Sequence, residues 1–483
     1  MMKKLTGVLF VFTLLLAAQT PAAPLQHRSD KMFRTVNTDT YEIGVRKNGE
    51  TDVTLTSRDP VFIGAIPMVW YDGAEAPEPF RLSGKLSGRD AVNNRMGQGQ
   101  GLLLQEDNCD WMLQAYPTKP YMSAQVAFVN TGKKSVKIKM LIPWSTAGFT
   151  LGPSTDQSVI LENGRSCVTN GDVPQKVTGS SLSQWSSAVY NAFTKRTLIA
   201  GFVTSGRAYT QIRLERADKG DSTFFDLCRA ECVYDPAIEV QPGERLESEV
   251  LYLGVAEANP FDGVERYGAT FAAFNNIKHR AGFLPHGWDS WNTKYETDIN
   301  EERMLSALDF MDHNLKRYGW KHFAIDAGWE IAKGDWEPNP ARFPNGMKWM
   351  AEQIHAKGMT AGIRIDPFTV DVNSAFAKAH PNWLRTPSEE GAKNLKETDR
   401  ILDVSIPDAY DYTRELFEKI GSDWKYDALQ ECDFVYHLLY ADSYADTGLT
   451  RIDVLHRGMQ AVREGFGANR LITSFTPLPA TGI

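Results

Sequence analysis

The stretch His322-Phe-Ala-Ile-Asp-Ala-Gly-Trp329 is a short apolar run that ends in a carboxylate and a glycine. Similar runs lie on either side of it: Gly287 to Trp291 just after Pro285, Thr360 to Asp366, Trp424 to Asp427, and Leu471 to Phe475. The segments between them have helical spacing. Leu308, Met311 and Leu315 share one face, as do Tyr412, Leu416 and Ile420, and again Ile452, Leu455, Met459 and Val462. Asp298 with Glu301 reads as a capping box opening the first helix. Repeated strand–helix units imply a parallel sheet, and at this spacing a (β/α)8-type barrel. No Gly-rich phosphate fingerprint follows the first strand, which argues against a doubly wound nucleotide fold.

Upstream, from about Thr40 to Val255, the periodicity is two rather than 3.6. Tyr41, Ile43 and Val45 alternate with polar residues, as do Val136 and Ile138. Asn130-Thr131-Gly132 sits between two such runs and predicts a hairpin turn, and Pro242-Gly243 precedes a strand-like Leu246 to Leu253. Many short strands punctuated by Gly, Pro and Asn predict a large antiparallel β-sandwich. The expected division is a signal peptide over residues 1–23, a β-supersandwich over 28–265, and a partial barrel over 266–483.

The first residues carry Lys3 and Lys4, an apolar run from Val8 to Ala18, and small residues at Ala22 and Ala23. This is the pattern of a secretory signal, and the run is shorter than the roughly 20 residues that cross a bilayer. A secreted or periplasmic location follows, with no lipobox cysteine and no membrane insertion after cleavage. The formal charge is -8 and no basic stripe is present, which argues against nucleic acid. The 5 cysteines form no metal-binding pattern; Cys228 and Cys232 either pair in an oxidising compartment or remain buried thiols.

Polar and aromatic residues crowd the carboxyl ends of the expected strands, the face on which β/α barrels build active sites. Lys425 and Asp427 are two apart and, on a strand, point to the same side. Such a lysine keeps a carboxylate ionised, as a nucleophile requires; a structural salt bridge is the other reading. Asp326 reads as a pocket carboxylate or a capped loop residue, and Asp366 before Pro367 as a pocket carboxylate or a turn former. Trp291 and Trp336 suit stacking on a sugar ring or ordinary packing.

Eight motifs then fall in one order: Gly287-Trp-Asp-Ser-Trp-Asn292, Ile325-Asp-Ala-Gly-Trp329, Gly334-Asp-Trp336, Phe343-Pro-Asn-Gly346, His355-Ala-Lys-Gly358, His380-Pro-Asn-Trp383, Leu402-Asp-Val-Ser405 and Trp424-Lys-Tyr-Asp427. In order and spacing they resemble the melibiase group, glycoside hydrolase families 36 and 27. The resemblance implies a retaining exo-acting α-glycoside hydrolase, chiefly an α-galactosidase, with a carbohydrate substrate and no metal or organic cofactor. By the same resemblance Asp427 is the nucleophile, Lys425 contacts the sugar, Trp291 and Trp336 line its pocket, and Asp326 binds hydroxyls at carbons 4 and 6. Two departures stand out. Ala327 replaces the second of two paired carboxylates, so a related α-glucosidase, α-N-acetylgalactosaminidase or transglycosylase is an alternative, as is a non-catalytic carbohydrate-binding barrel. The acid/base of the family stands on a sixth strand, whereas five are read up to Ile483, so a barrel truncated after about five strands is expected.

Overall fold

The computed structural model describes residues 34–473, apart from 84–85, 89–90, 147, 164–174, 177–178, 217–224, 258, 278–284, 292, 294 and 433–434. The signal-peptide reading, Cys167 and the end of the Leu471 to Phe475 run lie outside the described residues.

The first half is a sandwich of two antiparallel sheets. One runs from Arg34–Asn37 at its edge through Pro60–Tyr71, Val136–Thr146 and Leu227–Val240 to Ser180–Gln184. The other centres on Arg196–Phe202, Leu251–Glu257, Tyr121–Val129 and Cys109–Ala115. Alternating residues from both sheets meet in a shared core in which Trp111, Trp144, Phe62, Phe149 and Phe225 are fully buried. Phe149 and Phe225 stack at 4.3 Å, and Phe62 meets Trp144 edge-on at 5.2 Å. Cys228 and Cys232 are free buried thiols of this core.

The turn at Asn130-Thr131-Gly132 does not close a hairpin. Tyr121–Val129 belongs to one sheet and Val136–Thr146 to the other, so the chain arches between layers. Asn130 holds the arch: its Nδ2 donates to the carbonyls of Lys134 and Val240, and its Oδ1 accepts from Gly132 N at 3.0 Å. A helix, Pro260–Phe274, then leaves the sandwich and remains packed on it. Its Tyr267 is buried and donates its hydroxyl to the Phe202 carbonyl at 2.7 Å.

The second half is built on a parallel sheet of five described strands in chain order: Gly287–Asp289, His322–Ile325, Thr360–Ile365, Ala428–Cys432 and Leu471–Ile472. Among the described residues the longer helices between them, besides a short one at Ala375–Ala379, are Glu301–Asn314, Gly346–Ala356, Pro407–Glu418 and Arg451–Phe466. The first is capped by Asn300, whose side chain accepts from Arg303 N at 2.9 Å; Asp298 lies outside the cap. The last opens with a capping box between Thr450 and Asp453.

The sheet has two unlike faces. Phe323, Ile325, Ala361, Ile363 and Ile365 pack against the helices in one hydrophobic cluster. By alternation, His322, Ala324 and Asp326 share the opposite face with Thr360, Gly362, Arg364 and Asp366. Side-chain contacts agree: His322 Nδ1 lies 2.9 Å from Thr360 Oγ1. The cluster on the helical side also takes in Trp185 of the sandwich, which is 5% exposed. Arg207–Asp453 and Arg451–Asp235 ion pairs join the halves nearby, at 3.0 and 2.6 Å.

Candidate active site

Parallel strands point their carboxyl ends to one edge of the sheet, where side chains are released from the ladder and free to converge on a ligand. Asp326 directly follows the second strand and Asp366 the third; both are buried. Asp326 Oδ1 accepts from Ala327 N at 2.6 Å and lies 3.5 Å from Arg364 Nε. Asp326 N in turn donates to Ser290 Oγ at 2.8 Å, which ties the ends of the first two strands together. Gly328, at φ +110°, makes the turn that follows, and a side chain there would strike the Thr297 carbonyl. Trp291, after the first strand, is 45% exposed at this edge.

His437 closes the group from a 3-10 turn, Val435–Tyr440, placed after the fourth strand. It shares a 2.7 Å hydrogen bond with Thr369 Oγ1, and its Nδ1 lies 3.8 Å from Asp366 Oδ2. Burial first, then the charges of Lys333 and Arg364, pull its pKa down to about 3. The ring is therefore neutral, and its approach to Asp366 is neither an ion pair nor, at that length, a hydrogen bond. Carboxylates, a guanidinium and a neutral imidazole thus gather at one edge, offering both acceptors and donors to a polar ligand.

Asp427 is not among them. The fourth strand is Ala428–Cys432, not Trp424 to Asp427, so Asp427 stands at the amino end of the sheet. Its Oδ2 accepts from Ala361 N and from His355 Nε2, each at 2.8 Å, and its own N donates to the Ala361 carbonyl. Five residues of the third strand separate Ala361 from Asp366, about 16 Å of extended chain. Asp427 therefore stands at the opposite edge of the sheet from Asp326 and Asp366, not at the carboxyl end of a strand where the sequence reading placed it as the nucleophile. Lys425 is displaced with it, exposed and in left-handed backbone at φ +64°. Trp336 is 4% exposed and packs 6.2 Å from Trp329 in the apolar layer, so it does not present a free stacking face.

Arg364, Thr369 and His437 escaped the sequence reading. Arg364 is two residues before Asp366 in Ile363-Arg-Ile-Asp366, and that spacing alone places both on the polar face. His437 lies in an apolar run, Val435 to Tyr440, and carries no local signal.

The melibiase family model matches residues 278–456, the span of the first four strands and the start of the last helix. Over this span the chain resembles the melibiase family. The chain is also similar to alpha-galactosidase AgaA of Geobacillus stearothermophilus, 27% identical over 143 residues, and to an alpha-galactosidase of Oryza sativa subsp. japonica, 35% identical over 112 residues. These stretches cover 27% and 20% of this chain but only 18% and 27% of those relatives. The fold likeness is broader than the family match. The crystal structure of AgaA superposes over 89% of this chain and 70% of its own, with a TM-score of 0.61 at 16% identity, so both halves share that architecture.

Proposed function

We propose that the protein is a retaining exo-α-glycoside hydrolase that releases terminal α-linked galactose, and that its parallel sheet forms the first five staves of a (β/α)8 barrel. One observation carries the reading: within a segment that resembles the melibiase family, consecutive strands end in buried carboxylates, Asp326 and Asp366, with Arg364 between them. The AgaA and Thermus thermophilus alpha-galactosidases, whose structures resemble this one, have been crystallised with stachyose, which supports an oligosaccharide substrate.

Retaining hydrolysis needs one carboxylate to attack the anomeric carbon and a second carboxyl to protonate the departing oxygen. Water, deprotonated by that second group, then cleaves the glycosyl-enzyme bond and restores both. We assign the nucleophile to the carboxyl end of the fourth strand, where the sequence reads Gln430-Glu-Cys-Asp433. In sequence, Asp433 is the residue next after the fourth strand, as Asp326 and Asp366 are next after the second and third. The acid/base is assigned to a sixth barrel strand, and the N-terminal pattern supports export to the periplasm or beyond.

The test is turnover of 4-nitrophenyl α-galactoside and raffinose by the intact protein, with Glu431→Gln and Asp433→Asn beside it. One of the two variants is expected to lose at least about four orders of magnitude in kcat, the scale of losing a covalent nucleophile. Full activity in both variants would remove the assignment. Ala327 favours a second reading, an α-glucoside or α-N-acetylgalactosaminide substrate, because a methyl accepts no hydrogen bond. Ala327→Asp is expected to raise the preference for galactoside by about 1–3 kcal/mol, the worth of one buried hydroxyl contact.

A further inference from the structure

On one edge the fourth strand pairs Ala428 with Leu471 and Leu429 with Ile472 of the fifth; on the other, toward the carboxylates of the third strand, its register is less firmly set. Its ladder with the third strand holds two in-register pairs, Gly362 with Ala428 and Ile363 with Leu429, before a bulge brings Cys432 opposite Ile365. Two pairs and a bulge define register weakly, and a slip of one residue turns every side chain to the other face. The chain also enters the strand abruptly. The helix Pro407–Glu418 runs on into a π turn, Lys419–Asp423, and Lys425 then takes left-handed backbone to redirect it.

What holds the entry is the pair of residues that follow. Tyr426 is fully buried, and its hydroxyl donates to the Met347 carbonyl at 3.2 Å. Asp427 joins three elements at once: through Oδ2 it holds Ala361 N of the third strand and His355 Nε2 on the helix Gly346–Ala356, and through its own N–H it reaches the Ala361 carbonyl. That helix is seated on the sheet by Met347, Met350, Ala351 and Ile354.

We propose that Asp427, oriented by His355, is a positioning residue that sets the register of the fourth strand and so the place of the carboxylates at its far end. A one-residue slip moves the strand by about 3.3 Å, whereas a misplacement of about 1 Å at a reacting group already costs about 100-fold in rate. The kinetic consequence rests on the hydrolase reading above; the register itself does not.

The experiment compares Asp427→Asn, Asp427→Ala, His355→Gln and His355→Ala in the intact protein. It reads hydrogen exchange over the ladder Ala361–Ile365 and Ala428–Cys432, together with kcat, KM and azide rescue on 4-nitrophenyl α-galactoside. An amide oxygen at 427 still accepts both bonds, so Asp427→Asn is expected to keep kcat within about tenfold. Asp427→Ala is expected to lose about 100-fold in kcat with KM little changed, to exchange faster across the ladder, and to gain nothing from azide. His355→Gln, which keeps a donor, should outperform His355→Ala. The proposal is overturned if Asp427→Asn is as inactive as Asp427→Ala and azide restores the latter, since that is how a lost nucleophile behaves. It is equally overturned if ladder exchange in Asp427→Ala matches the parent protein. Should the parent protein hydrolyse no α-glycoside, the hydrolase reading fails while the exchange measurement still decides the register.

Discussion

Asp326 Oδ1 stands 3.5 Å from Nε of Arg364, across the register that pairs the second and third parallel strands, and the two side chains are 2% and 14% exposed. The pair joins a site carboxylate to the sheet beneath it. Removing one partner leaves the other charge buried without its counterpart, a loss of about 3–5 kcal/mol. Arg364→Met is therefore expected to destabilise the protein strongly in urea unfolding, and Asp326→Asn added to it should recover much of the loss. Additive effects in that double-mutant cycle would show that the two groups do not interact.

His437 predicts a pH dependence. Its ring is held at about 3 in the folded protein, against about 6.5 for an ordinary histidine. Above about pH 6.5 the ring is neutral whether the chain is folded or not, and stability does not depend on it. As pH falls from there toward 3, the unfolded chain binds a proton that the folded one refuses, so stability is lost at up to about 1.4 kcal/mol per unit. Urea unfolding of His437→Gln between pH 4 and 7 should show a correspondingly shallower slope. An unchanged slope would place the titration elsewhere.

The two tryptophans read as sugar platforms should separate cleanly. Trp336 is buried against Trp329, so Trp336→Ala is expected to cost about 3–5 kcal/mol of stability. Trp291 is 45% exposed, so Trp291→Ala should leave the melting temperature nearly unchanged and raise KM for the glycoside. The opposite pattern would return Trp336 to the pocket.

Across the junction between the halves, Arg451 contributes more than its ion pair. It meets Asp235 at 2.6 Å but also donates to the carbonyls of Leu439 and Ala441. Asp235 is 57% exposed, so Asp235→Asn should cost no more than about 1 kcal/mol. Arg451→Ala also removes the donor to two carbonyls and should cost about 2–3 kcal/mol more. Equal losses in thermal unfolding would argue that the ion pair alone matters.

Much of the architecture is legible in the sequence because it follows from local patterning. The period-2 runs around Tyr41 and Val136 mark sandwich strands, and Phe323, Ile325, Ile363 and Ile365 mark the helical face of the parallel sheet. The errors share a cause: local chemistry was compatible with two structures and a distant partner chose between them. Trp424-Lys-Tyr-Asp427 alternates as a strand does, yet a π turn and a left-handed lysine make it the lead-in, while the strand itself mixes Ala428 and Leu429 with Gln430 and Glu431. Asn130-Thr131-Gly132 has the residues of a hairpin, but an arch between sheets uses the same turn chemistry. Asp298 and Asn300 both suit a helix cap, and only the hydrogen bond to Arg303 separates them. Asp326 and Asp366 were visible because each ends an apolar run; His437 reaches the same edge from a turn far along the chain.

The position of Trp185 has a practical consequence. A sandwich residue sunk into the apolar cluster of the parallel-sheet half means that neither half can open without exposing part of the other's interior. A protease cut in the connection between Pro260–Phe274 and Gly287 should thus yield two fragments that co-migrate on gel filtration. Attempts to express either half alone should give insoluble material.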